Sequence, residues 1–158
     1  MEELIKEQQA SLKALEKRLN GRKVAARYYA KDKLLTVMLP VKKVSGDVFT
    51  DILFMPEDER MENASFCAIR TTVADLTEFP EENILKLCRD ICIVNNELPI
   101  GCYGVSTTEG SLPLKALVFS VTVPIAAGIS GDLMTDTIED ALTLAAVTIE
   151  ETISGLNI

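Results

Sequence analysis

Residues 34–73 read LLTVMLPV-KKVSGD-VFTDILFM-PEDERMENA-SFCAIRTTV: three apolar runs parted by short polar spacers, and this stretch decides the fold class. Leu35, Val37, Leu39 and Val41 occupy every second position, the period of a strand with one buried face. In Val48–Met55, Val48, Ile52 and Phe54 alternate with Phe49, Asp51, Leu53 and Met55. In Ser65–Val73, Cys67, Ile69, Thr71 and Val73 alternate with Phe66, Ala68 and Arg70. Ser45-Gly46-Asp47 is a turn signal, and Pro56–Arg60 reads as a solvated loop. Spacers this short predict antiparallel hairpins, because a parallel crossover needs about a dozen residues or more.

Working outward, a weaker strand over Val24–Tyr29 turns at Lys31-Asp32 into the first run. Before it, residues 2–19 read as an amphipathic helix. Ile5, Leu12 and Leu19 recur at heptad spacing, with Leu15 on the same stripe, and Asn20-Gly21 is the stop. So narrow a stripe suits docking on a body rather than a free coiled coil. After the third run, Pro80 and Glu81-Glu82 announce a second helix. Its stripe is Ile84, Cys88 and Ile91, flanked by Leu85 and Cys92, and Asn95-Asn96 ends it. Ile100–Val105 and Leu114–Val123 read as two further strands around the turn-rich Thr107–Ser111. Gly128–Gly131 leads into a last helix, from Asp132 to Ser154, with Ile138, Leu142, Ala145, Ile149, Ile153 and Leu156 on one stripe. The expected architecture is a single α+β domain over residues 1–158. An antiparallel sheet of five or six strands is packed with helices in the order α-ββββ-α-ββ-α.

Composition narrows the function classes. The 158 residues carry a formal charge of −8, which argues against a general affinity for nucleic acid or anionic lipid. The charge is unevenly spread: residues 1–43 hold 11 Lys/Arg and 5 Asp/Glu, and no Lys or Arg follows Lys115. The basic start is expected to lie against the acidic remainder. A nucleic-acid surface built on Arg22, Lys23, Arg27 and Lys31 is the alternative use of those charges. No run approaches the ~20 apolar residues of a membrane span, and the charged start MEELIKEQQ lacks a secretory core. The expected location is the cytoplasm, where Cys67, Cys88, Cys92 and Cys102 would be free thiols acting as small hydrophobes.

Catalytic groups are scarce. There is no histidine, which removes Ser-His and Cys-His pairs and every His-containing metal site. Cys102, between Gly101 and Gly104, is the one thiol with an exposed-looking setting, and no local base accompanies it. Cys88 and Cys92 sit one helical turn apart without a CxxC knuckle. Asp132, Asp136 and Asp140, with Glu139, could hold a hard cation, but acidic residues at a helix start ordinarily complement its dipole. Gly128-Ile129-Ser130-Gly131 lacks the Lys of a phosphate loop, and Ser130 or Asp132 reads better as a cap. No catalytic residue, metal ligand or cofactor is assigned; a metal- or cysteine-dependent enzyme is the rival reading.

One feature favours binding. The strands are apolar on both faces, whereas an antiparallel sheet with one wet face alternates more cleanly. The second face, carrying Phe49, Leu53 and Met55 on one strand and Leu114, Ala116 and Val118 on another, is expected to be covered by a helix, a sister subunit or a partner. Phe49, Leu53, Met55, Leu114 and Val118 are therefore the candidate partner-binding or dimer residues. Asp51 is expected at the rim.

Residues 65–158 also resemble a bacterial family. A strand Phe66-Cys67-Ala68-Ile69-Arg70-Thr71 precedes a helix that ends in Asn95-Asn96-Glu97-Leu98-Pro99-Ile100-Gly101. A strand Cys102-Tyr103-Gly104-Val105, a long strand Leu117–Pro124 and a closing amphipathic helix follow. This pattern is similar to the carboxy-terminal half of the YbjN-type proteins, whose fold is like that of type III secretion chaperones. The resemblance implies a helix-on-sheet domain, usually dimeric, that binds other proteins as a chaperone or regulator and carries no catalytic residues to transfer.

Overall fold

In the computed structural model, residues 2–44, 48–55, 64–108 and 115–158 are described. The elements are α1 (Glu2–Gly21), β1 (Ala26–Tyr29), β2 (Leu34–Leu39), β3 (Val48–Phe54), β4 (Ala64–Asp75), α2 (Glu81–Asn95), β5 (Cys102–Thr107), β6 (Lys115–Ala126) and α3 (Gly131–Thr152), closed by a 3-10 turn at Ile153–Gly155. The turn at Ser45-Gly46-Asp47, the loop Pro56–Arg60 and Leu114 lie outside the described residues.

All six strands form one antiparallel sheet in the order β1-β2-β3-β4-β6-β5. β1 to β4 follow one another across it, as short spacers require. β6 then crosses past β5 to pair with β4 from Ala64↔Ala126 to Asp75↔Ala116, leaving β5 at the edge. A register shift between Thr72 and Ala74 marks a bulge at Val73.

One face of this sheet makes the core. Leu35, Val37, Ile52, Cys67, Ile69, Leu117, Phe119 and Val121 point to it and join Leu12, Leu15 and Leu19 of α1, Leu87 and Ile91 of α2, and Met134, Ile138, Leu142, Ala145 and Ile149 of α3 in one buried cluster. Each fully buried Leu or Ile there contributes about 1.5–3 kcal/mol. Two polar contacts sit among them: Thr50 and Thr71 share a hydroxyl bond of 2.9 Å across β3 and β4, and the Ser11 hydroxyl donates to the Gly131 carbonyl, whereas the Tyr28 hydroxyl is buried without a partner among the described residues. On α2 the core residues are Leu87 and Ile91, with Ile84 and Cys88 half-buried, so its stripe sits partly round from the Ile84–Cys88–Ile91 line. Leu85, Cys92 and Ile93 are exposed.

The basic start does lie against the acidic end. Arg18 bonds Asp136 and Glu139, and Arg22 bonds Glu139, joining α1 to α3. Arg18 and Arg22 are solvated, so these pairs add little stability and the leucines hold the helix. Ser130, rather than Asp132, caps α3 by accepting the Leu133 amide at 3.3 Å.

The stop of α1 differs in detail from the sequence reading. Gly21 is the last helical residue, and the left-handed position falls on Lys23, at φ 64°. Val24 N–H returns to the Leu19 carbonyl and Lys23 N–H to that of Asn20, the bond pattern of a Schellman cap. Asn20 serves instead through its amide, which donates to the Ala26 carbonyl and accepts from the Ala26 N–H. Asn95 repeats this at the end of α2, donating to the Tyr103 carbonyl at 3.0 Å and accepting the Tyr103 N–H at 2.8 Å.

Gly101 joins α2's exit to β5 at φ 71°, and a Cβ there would stand 2.7 Å from the Phe119 ring and 2.8 Å from the Ser120 carbonyl. Gly104 meets nothing within 4 Å. Gly101→Ala is therefore expected to destabilise by about 2–5 kcal/mol through left-handed strain and overlap with fixed backbone. Gly104→Ala should fall within about 1 kcal/mol of wild type. Urea unfolding checks both, and equal effects would refute the assignment. By the same measurement Lys23→Gly should gain about 0.5–1 kcal/mol by relieving its backbone.

Candidate protein-binding surface

The face of the sheet turned away from the helices is set by the same registers. One row across it is Met38, Phe49, Thr72, Val118 and Gly104; another is Tyr29, Leu34, Leu53, Ala68 and Thr122. Between them runs a polar row: Arg27, Thr36, Asp51, Arg70, Ser120 and Cys102. Two apolar ribbons thus flank a hydrophilic seam. The Thr36 hydroxyl donates to Asp51 at 2.7 Å, and Arg70 reaches the Ser106 hydroxyl on β5. Arg27 stacks over the Tyr29 ring, 5.3 Å from its centroid.

Phe49 is 55% exposed, Met55 47% and Tyr29 40%, all on this side. Leu53 is half-buried between Leu34 and Ala68. Val118 lies on the same face but is already buried, outside the main core cluster. The Phe49 and Val118 sets do not adjoin, because β4 runs between β3 and β6 and puts Thr72 between those two side chains. Asp51 is not at a rim: it stands in the middle of the seam, opposite Arg70. Tyr29, which the sequence reading did not single out, belongs to the surface; its odd position in Val24–Tyr29 was the available signal.

No family model and no curated protein matches the sequence. Among solved structures, the crystal structure of YbjN from E. coli, a candidate transcription regulator, matches with a TM-score of 0.55 at 14% identity. The match covers 90% of this chain and 91% of that one. The fold is YbjN-like. At that identity the likeness is one of fold, and it takes in strands before Ser65 that the sequence resemblance had left aside.

The YbjN-like sheet also separates the groups that chemistry would need together. Cys67 is in the core on the helix side, while Cys102 is exposed and shares the opposite face with its register partner Ser120, so the four thiols do not converge. Burial pushes the Cys67 thiol up to about 12, which keeps it protonated. Cys92 is exposed rather than packed as a small hydrophobe. Of the α3 carboxylates, Asp136 and Glu139 are engaged with Arg18 and Arg22. A cleft of about 840 Å³ between the end of β4 and the carboxy-terminal turn includes Lys43, Asp75, Phe79 and Leu156. Asp75 in its lining is held below the usual carboxylate range by the Thr77 hydroxyl and amide, so it is a turn-forming anion rather than a proton donor near neutrality.

These positions predict an order of thiol reactivity. With a chromogenic disulfide reagent on folded protein, Cys92 and Cys102 should react first, Cys88 more slowly, and Cys67 only on unfolding. Cys92→Ser and Cys102→Ser should stay within about 0.5 kcal/mol of wild type. Fast labelling of Cys67 in the folded state would contradict the burial.

Proposed function

We propose that the protein is a non-enzymatic protein-binding module, chaperone-like or regulatory, that acts as a homodimer through the helix-free face of its sheet. The observation that carries this reading is that Tyr29, Phe49 and Met55, all large and exposed, lie on one side of a sheet whose other side is filled, in two ribbons on either side of the polar seam. Apolar surface gathered in this way marks an interaction site, and its burial stabilises by roughly 25 cal/mol per Å², opposed by the entropy of association. The description of YbjN as a candidate transcription regulator agrees with the regulatory part of this reading. Of the residues a nucleic-acid surface would use, Arg22 is matched by Glu139 and Arg27 lies over the Tyr29 ring, which leaves Lys23 and Lys31 for that role.

Leu53→Glu tests the reading. Leu53 faces away from the core, so the variant should keep wild-type circular dichroism and shift the protein to monomer in sedimentation velocity. Unfolding would mean that Leu53 is core, and wild-type association in a folded variant would move the interface elsewhere.

A further inference from the structure

On the helix-free face, β3 and β4 meet in three registered pairs: Phe49 with Thr72, Asp51 with Arg70, and Leu53 with Ala68. Each pair joins unlike members: large with small, anion with cation, large with small. The charged pair has a further peculiarity. Asp51 and Arg70 are cross-strand neighbours, yet no ion pair joins them among the described residues. Asp51 accepts from Thr36 on one side and Arg70 donates to Ser106 on the other. A guanidinium has five N–H donors and a carboxylate about four acceptor sites, so both keep capacity for a further partner.

Such a surface is complementary to itself under one symmetry. A two-fold axis lying in the face, parallel to the strands and between β3 and β4, sets each β3 residue over the β4 residue it pairs with. Phe49 then meets Thr72 of the second copy, Leu53 meets Ala68 and Asp51 meets Arg70, each twice. The same operation puts Met38 over Val118 and Thr36 over Ser120. An axis across the strands through the seam would instead oppose Asp51 to Asp51 and Arg70 to Arg70, like charges in an interface losing water. Packed sheets keep their strands within about 30° of alignment, and residues beside the axis are displaced least by that twist.

Resting on the reading that this face is the dimer interface, we infer that a second copy docks about the axis parallel to the strands, exchanging two Asp51–Arg70 ion pairs. The interface is isologous, with bulky β3 residues seated over small β4 residues.

Charge exchange tests it. Asp51→Arg and Arg70→Asp, made separately, each create like charges across the axis and should weaken self-association roughly a hundredfold. Mixed in equal amounts, the two should form a heterodimer of near wild-type affinity, read by sedimentation velocity with one chain fluorescently labelled. Wild-type association of either folded single variant, or a mixture that stays monomeric, overturns the axis. If a single variant does not fold, Asp51→Arg/Arg70→Asp, which keeps opposite charges across β3 and β4, carries the test: it should dimerise with itself and not exchange with wild type. Free exchange overturns the proposal. Dissociation by Leu53→Glu without these charge effects would leave the face as the interface and reject only its geometry; a monomeric wild type would reject both.

Discussion

β4 is paired along both of its edges, to β3 from Phe49↔Thr72 to Phe54↔Cys67 and to β6 over nearly its whole length. Its side chains alternate between Cys67, Ile69, Thr71 and Val73 toward the helices and Phe66, Ala68, Arg70 and Thr72 away from them. A slip of one residue would carry Arg70 into the core and Ile69 out of it, so the burial of one face fixes the register of three strands at once. The helices, the seam and the exposed ribbons all follow from that choice. The Thr50–Thr71 bond reinforces it from inside, because only this register lets the two buried hydroxyls satisfy each other.

Charge distribution follows the same division of labour. The basic α1 and the acidic α3 adjoin on the helix side, where Arg18 and Arg22 meet Asp136 and Glu139. Little energy comes from these solvated pairs, but like charges at the same contact would repel, so they help to select which helices pack together. On the other side the charges among the described strand residues are few, with Arg27 on the edge strand and Asp51 and Arg70 in the middle of the sheet. A buried carboxylate or guanidinium without a partner is expensive, and this makes Asp51 and Arg70 the residues that discriminate among ways of covering the face.

The element order and the two strand faces were legible in the sequence, because period-two alternation in Val48–Met55 and Ser65–Val73 is a direct readout of one-sided burial. Sheet order was not: no local signal says that β6 passes β5 to reach β4, since that pairing is chosen by the joint burial of Leu117, Phe119 and Val121 with residues from three helices. Asn20 and Asn95 were recognisable as helix ends, but for a different reason than the structure gives. Their side-chain amides bond strand backbone at Ala26 and Tyr103, and which strand lies within reach is a tertiary fact. The candidate surface was legible as a face but not as a pattern. Asp51 could be placed at a rim only while its neighbour was unknown; beside Arg70 and Thr36 it becomes the centre of a seam.

Those two asparagines also bear on how the sheet can associate. A sheet meets another chain either by adding a strand to an edge or by covering a face. β1 and β5 are the edges, and each outer strand has backbone groups already taken up by a helix. On β1 both groups of Ala26 bond Asn20, and the Tyr28 N–H donates to Glu16 at 2.8 Å. On β5 both groups of Tyr103 bond Asn95. A new strand would have to displace these bonds, two on β5 and three on β1, before gaining its own ladder. The helix-free face asks for no such exchange: its side chains already project outward, and covering them removes apolar surface from water without breaking any backbone bond of the monomer. The capped edges and the open face thus favour the proposed packing of the sheet over strand addition.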